Sequence, residues 1–277
     1  MTNKEITKVI FNNSEISALY YGDVLIWKKG NGSTFEEGVF AGKLVDGVTT
    51  EKAFIYVRNS EYPDITKIDL PYNDDTKEFY WKSENELLNF DTYNKEIFKE
   101  IHNYPNWKNM NSLMDEFSGC TNLISINLSN FDTANAKSMS SMFYRCLVLP
   151  SLDLSNSNFK TTNCKDMKYM FAYCNVLTSL TLSKFDVTKV TDVLGMSDMF
   201  YNCKALTTVT GVFEGIQVDL DLHYSPLTNA SAMVFINGLS TAISTTRTLS
   251  LKSSTYNTLT PEQIAVATSK GWTVISA

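Results

Sequence analysis

Arginine and histidine are scarce in this chain, and each scarcity closes off a class of function. Its three arginines, Arg58, Arg145 and Arg247, cannot build a bidentate cluster that grips phosphate groups. The net charge of −6 and a sequence pI near 5.1 point the same way, so no nucleic-acid partner is expected. The two histidines, His102 and His223, stand far apart, and neither sits beside a serine or cysteine motif. The G-x-S-x-G, H-E-x-x-H, P-loop and glycine-rich dinucleotide patterns are all missing. No catalytic residue and no cofactor are therefore expected. No apolar run approaches the roughly 18 residues that cross a bilayer, so membrane insertion is not expected. The opening MTNKEITKVIFNNSEI lacks the continuous apolar core of a secretory signal, and no lipidation motif is visible. Synthesis in a cytoplasm without an export address is the expectation.

What the chain does have is repetition. MSSMFYRC (139–146) places apolar residues at i, i+3, i+4 and i+7, and close copies start at Met167 (MKYMFAYC) and Met196 (MSDMFYNC). That spacing is the stripe of an amphipathic helix, so a helix is predicted for each copy. The pair F-x-x-C recurs at Phe117/Cys120, Phe143/Cys146, Phe171/Cys174 and Phe200/Cys203, at intervals of 26, 28 and 29 residues. Three residues after each cysteine comes a leucine (Leu123, Leu149, Leu177, Leu206). SINLS, SLDLS and SLTLS then alternate with the period of a short strand, and polar turn residues close each unit.

Helix, strand and turn at this period predict an α/β leucine-rich-repeat-like solenoid of about six units over residues 111–277. One unit cannot bury its own apolar face, but stacked units share a core. Met139, Met142, Phe143 and Cys146 should meet Leu152 and Leu154 there. Cys164 falls at the slot of Ala136 and Val190, a small apolar position. In the first unit Leu113 and Glu116 replace the two methionines, and a charge is expected because a terminal unit has an uncovered face.

Beyond Cys203 the period blurs. VDLDL (218–222) and RTLSL (247–251) read as strands, and NASAMVFINGLS as a helix ending at Asn237–Gly238. Thr260, Pro261 and Gln263 form the capping box of a last helix, closed by Lys270 and a left-handed Gly271 before the strand WTVIS. Residues 1–30 read as a small β-meander with turns at NNSE and YGD, followed by a flexible GNGS break (30–33). Residues 31–110 read as an α/β lead-in that caps the array. It has strands in KAFIYVR and KEFYWK, a turn at PYNDDT, and a mostly helical stretch from Ser83 to Tyr104.

The regularly spaced cysteines raise the question of zinc. A structural site needs four ligands around one ion, whereas equivalent residues of stacked strands, about 5 Å apart, form a row. No metal is expected, and the thiols are predicted buried and reduced, with disulfides between neighbouring units as the alternative. Asp132 and Asp186, in two F-D turns, are expected to cap backbone N–H groups. The outward strand residues Asn127, Asp153, Thr181 and Asp221 should line up on one face, where repeat arrays bind partners. They form the candidate ligand face, and a merely solvated sheet face accounts for them equally well. Tyr144, Tyr173 and Tyr201 are a competing patch, with packing at the core edge as the plainer explanation. Ile16, Tyr20, Tyr21 and Trp27 are candidate anchor residues, since the meander holds more large apolar groups than it can bury alone.

The pattern M-x-x-M-F-x-x-C followed by L-x-x-[LI]-x-L-S-x-F-D resembles the BspA-type leucine-rich repeats of bacterial surface antigens, closely over 113–209 and loosely to 277. Residues 193–195 are inserted relative to that pattern. The family implies extracellular binding or adhesion and no chemistry. The opening VIFNNSEISALYYGDVLIWKKG is similar to the segment that begins many structural proteins of tailed bacteriophages. Together the two resemblances imply a non-enzymatic virion appendage or fibre protein. It would be held to other virion proteins by its N-terminus, would be a homo-oligomer, and would present its repeats to a host surface glycan or protein. A bacterial cell-surface adhesin is the alternative.

Overall fold

The structure, a computed structural model, describes residues 8–12, 15–21, 24–28, 39–48, 54–59, 65–70, 77–82, 87–90, 95–103, 111–129, 131–156, 158–241 and 246–277. Among them the fold is mixed α/β, with five sheets and few helices. β1 (Lys8–Asn12), β2 (Glu15–Tyr21) and β3 (Val24–Lys28) pair antiparallel in that order, which is the expected meander. The GNGS break and the PYNDDT turn lie outside the described residues.

The lead-in is built of strands. β4 (Val39–Leu44), β7 (Glu78–Lys82) and β9 (Phe98–Asn103) share one sheet, and β5 (Phe54–Asn59), β6 (Ile65–Asp69) and β8 (Leu87–Phe90) form another. The helical stretch expected over 83–104 is corrected to β8, a 3-10 turn at Lys95–Ile97, and β9. Phe98 and Ile101 are both buried three residues apart, as on a helix face. A bulge produces that spacing here: Leu44 faces Phe98 but Lys43 faces Glu100, so Lys99 is the extra residue.

β9 carries the lead-in onto the first repeat. β10 (Ser125–Ile126) pairs parallel to it, and Ile124 and Asn127 donate N–H to the carbonyls of Lys99 and Ile101, each at 2.8 Å. The first unit is thereby covered, and its charge is not exposed. Glu116, at the register position of Met142, Met170 and Met199, is fully buried together with Lys95. Lys95 Nζ donates to the carbonyls of Asp115 and Glu116 at 2.5 and 2.8 Å. Burial pulls this ammonium below the ordinary lysine range, while the charges of Cys120, Glu116 and Asp115 act in the opposite direction.

The M-x-x-M-F-x-x-C segments are not helices, which corrects the helix–strand unit to a turn–strand unit. In a helix each N–H would reach back four residues. Here Met139, Ser141, Phe143 and Arg145 donate instead to Asp166, Lys168, Met170 and Ala172 of the next unit, at 2.8–2.9 Å. The residues between them close tight turns: Met142, Tyr144 and Cys146 donate to Met139, Ser141 and Phe143. Every fourth residue then has positive φ, as the third residue of a type II turn requires. These residues are Asp115 and Gly119, Ser141 and Arg145, Tyr169 and Tyr173, and Asp198 and Asn202. Two four-residue turns in series put the first, fourth, fifth and eighth residues inside, the same spacing that a helical stripe has.

Strands follow the turns: β11 (Ser151–Leu154), β12 (Ser179–Asp186) and β13 (Thr208–Glu214) form a parallel sheet. Leu152, Leu180 and Val209 occupy matched positions and are buried. Two phenylalanine rows run across the units. Phe117, Phe143, Phe171 and Phe200 stack at 5.3, 5.8 and 5.4 Å between centroids, and Phe159, Phe185 and Phe213 at 6.0 and 5.4 Å. Ala136, Cys164 and Val190 fill equivalent buried slots, as expected from the sequence.

The array then changes grammar. After β14 (Leu220–Leu222) comes α1 (Asn229–Gly238), capped by the Thr228 hydroxyl, and its Phe235 touches both Phe200 and Phe213. β15 (Arg247–Leu251) and β16 (Trp272–Ser276) continue a parallel sheet from β14. The short α2 (Ser253–Tyr256) and α3 (Pro261–Thr268) lie between them, and the capping box at Thr260 and Gln263 is formed in full. Gln263 also exchanges two amide hydrogen bonds, both 2.9 Å, with Asn229 at the start of α1. Lys270 donates to the carbonyl of Asn237 at 2.8 Å, so it closes the end of α1 rather than its own helix.

Two outcomes follow for urea unfolding. Phe171→Ala opens a cavity between two stacked rings and should cost about 3–5 kcal/mol, whereas Lys165→Ala, at an exposed position, should stay within about 0.5 kcal/mol. Equal losses would contradict the stacked row. Lys95→Met alone should cost about 3–5 kcal/mol, because it removes the cation facing a buried carboxylate. Adding Glu116→Met, the residue of the later units, should restore most of that loss; a double variant no better than the single one would refute the coupling.

Candidate functional site

Three surfaces come into question: the strand face, the cysteine row and the tyrosine patch. On the strand face Asp153 is exposed and lies opposite the half-buried Thr181, and the next residue in that row is Thr210 of β13. Asp221 belongs elsewhere: it lies on β14, opposite Ser250. Asn127 in turn follows β10, beside β9, so the proposed row is split among three sheets. Three of its members already serve turns. Asn127, Asp153 and Asp221 accept the N–H of Ser129, Ser155 and His223 through their side-chain oxygens, at 2.9, 2.9 and 3.0 Å. Asp132 and Asp186 act alike on Ala134 and Thr188, which is the capping role read from the sequence.

The thiols form a row and are all buried, with none in a disulfide. Cys146, Cys174 and Cys203 each donate S–H to the phenylalanine carbonyl of the preceding unit (Phe117, Phe143, Phe171), at 3.3, 3.2 and 3.1 Å. Each of those carbonyls also accepts the N–H of the cysteine three residues on. Cysteine therefore suits the slot as a small apolar group with one weak donor. Burial pushes the Cys120 thiol up to about 12 and Cys164 to about 11. Cys146 is raised by its bond with the neighbouring Cys174 thiol and then by burial. Each histidine is held by an acid two residues away, His102 by Glu100 at 2.8 Å and His223 by Asp221 at 2.6 Å. Among the described residues no group of three or more His, Cys, Asp or Glu side chains is placed to hold a metal ion.

The tyrosine patch is larger than the sequence suggested. Tyr169 and Tyr224 join Tyr144, Tyr173 and Tyr201, with neighbouring centroids 4.7–6.3 Å apart. Ser141, Tyr144, Tyr169, Tyr173, Asp198 and Tyr201 line an open cavity of about 410 Å³. Both phenols are raised, Tyr201 chiefly by the neighbouring Tyr224 phenol and Tyr173 chiefly by desolvation. Lys168 Nζ sits 5.0 Å from the Tyr169 ring centre. Tyr169 and Asp198 hold the third, left-handed position of their octets.

The candidate anchor residues Ile16, Tyr20, Tyr21 and Trp27 lie on β2 and β3, where Leu19 pairs with Trp27 and Tyr20 with Leu25. Their side chains fall outside the described residues. No helix among the described residues is long and apolar enough to cross a membrane.

Residues 85–216 match a family model described as a Mycoplasma protein of unknown function, DUF285. The match takes in β8, β9 and all four F-x-x-C units. No curated protein and no solved structure matches the chain.

The burial of the thiols has two readable consequences. At pH 8 the native protein should react with a thiol reagent far more slowly than the unfolded chain, which should release five thiols; a fast native thiol or a count of three would contradict this. Because the folded pKa of Cys120 lies above the ordinary 9.0, the unfolded chain ionises first, and stability should fall as pH rises from 9.0 towards about 12. Cys120→Ala should flatten that decline.

Proposed function

We propose that the chain is a non-enzymatic structural protein of a phage particle: β1–β3 attach it, and residues 111–277 project as a leucine-rich-repeat-like solenoid of the BspA type. The observation that carries the solenoid reading is the register of the units. Backbone N–H groups of one unit bond to the next at a period of 26–29 residues, over a shared core of stacked rings. Arrays of this kind work by presenting an extended surface. The N-terminal meander supports the attachment role. A three-stranded sheet this small has little core of its own and would gain stability by packing its apolar residues against another chain, either a second copy or another virion protein. On this reading the protein resides in the virion as a homo-oligomer and meets a host surface glycan or protein. The bacterial adhesin remains the second reading, favoured by the family model drawn from Mycoplasma over residues 85–216.

Mass spectrometry of purified particles tests the first reading directly, and surface labelling of intact bacteria tests the second. A chain lacking residues 1–30, or carrying Tyr20→Ser with Trp27→Ser, should stay folded and soluble but vanish from the particles. If the shortened chain is still incorporated, or unfolds as a whole, the meander is not the anchor.

A further inference from the structure

We propose that the tyrosine-lined groove binds a neutral oligosaccharide; this deepens the surface-binding reading above and rests on it. The first observation is strain. Tyr169 and Tyr173 hold φ of 57° and 62°, a left-handed conformation that bulky residues rarely adopt. The equivalent places in the flanking units carry Ser141 and Arg145 on one side and Asp198 and Asn202 on the other, with Asp115 and Gly119 one unit earlier. The central unit thus keeps two strained tyrosines where asparagine or glycine would suit the backbone better. Strain of this kind persists where a side chain is needed for something else.

The second observation is the shape and chemistry of the cavity. Its volume, about 410 Å³, is that of a small-molecule site. Buried Ala172 stands at the register position of Tyr144 and Tyr201, a small residue between two large ones. The internal phenylalanines stack at 8–23°, whereas the tyrosines meet edge-to-face or tilted at 60–80°. Around the rings stand the Ser141 hydroxyl, the Tyr173 and Tyr201 hydroxyls and the Asp198 carboxylate. Apolar faces bordered by donors and acceptors match a pyranose, which has a C–H face and a hydroxyl edge.

Charge narrows the class. Asp198 is the acid of the groove, while Lys168 lies over Tyr169 and Arg145 acts on Tyr173, so both signs are present. An anionic polymer would also meet a chain of net charge −6. A cationic ligand would compete with Lys168 for the Tyr169 ring. A neutral, repeating ligand suits a row of rings that itself repeats.

Isothermal titration of the full chain tests this, with hexasaccharides of β-1,4-glucose, β-1,3-glucose, α-1,4-glucose, α-1,6-mannose and β-1,4-N-acetylglucosamine as probes. At least one should bind with a dissociation constant below about 1 mM. Tyr173→Asn removes the ring while suiting the left-handed backbone, so it should keep or raise Tm yet weaken binding about tenfold or more. Asp198→Asn should weaken it less, and Asp153→Asn and Thr181→Ala should leave it unchanged. The proposal is overturned if no hexasaccharide binds, or if Tyr173→Asn binds like the parent. Incorporation into particles is scored separately. Sugar binding can fail while the chain remains a virion component, and a chain absent from particles undoes the virion reading whatever the sugars do.

Discussion

Alternate backbone N–H groups in residues 113–119, 139–145 and 167–173 leave their own unit and bond to the next. Most of the remaining structure depends on this constraint. It fixes which residue lies above which, and so it converts a loose sequence period into rows of identical side chains. Phenylalanine stacks on phenylalanine, and the thiols of Cys146, Cys174 and Cys203 reach the carbonyl of the phenylalanine one unit back. It also explains how the chain absorbs an insertion. Val193 and Leu194 bulge into solvent, each 59% exposed, and Gly195 then returns in time for its carbonyl to accept the N–H of Met167 at 2.7 Å.

A ladder of this kind leaves its last rung unsatisfied unless something different closes it. At the N-terminal end β9 supplies a parallel strand, and Lys95 satisfies two carbonyls where a preceding unit is missing. A cation that fills this role underground needs a counter-charge, which accounts for Glu116 at a methionine position. Toward the C-terminus closure is gradual. α1 takes over from the paired turns, and Phe235 ends both aromatic rows at once. The amide pair between Asn229 and Gln263 and the reach of Lys270 then tie the remaining helices together.

The sequence displayed the period, the inward residues, the strands and the capping box at Thr260, because each has a local signature. It hid the conformation of the repeated octet, since residues 1, 4, 5 and 8 turn inward both in a helix and in two successive tight turns. The distinguishing mark was present in the residue types at positions 3 and 7, where Asp115, Gly119, Asp198 and Asn202 favour positive φ. Tyr169 and Tyr173 in the same places masked it. The bulge at Lys99 hid β9 in the same manner, by lending a strand the spacing of a helix. The meeting of Lys95 with Glu116 had no local signal at all, because the partners come from different elements and nothing about either residue names the other.

The same ladder separates what the units must share from what they are free to vary. Positions 1, 4, 5 and 8 of every octet are buried, and only Leu113 and Glu116 depart from the common set. None of the eight left-handed residues at positions 3 and 7 is buried. Substitution there changes the surface while leaving the stack intact, so these are the positions at which such an array can acquire a ligand. Each unit uses them differently: Asp and Gly, Ser and Arg, Tyr and Tyr, Asp and Asn. Asparagine, aspartate and glycine are what the backbone alone would select. Where tyrosine appears twice in one unit, beside the tyrosines of both neighbours, backbone preference does not select it.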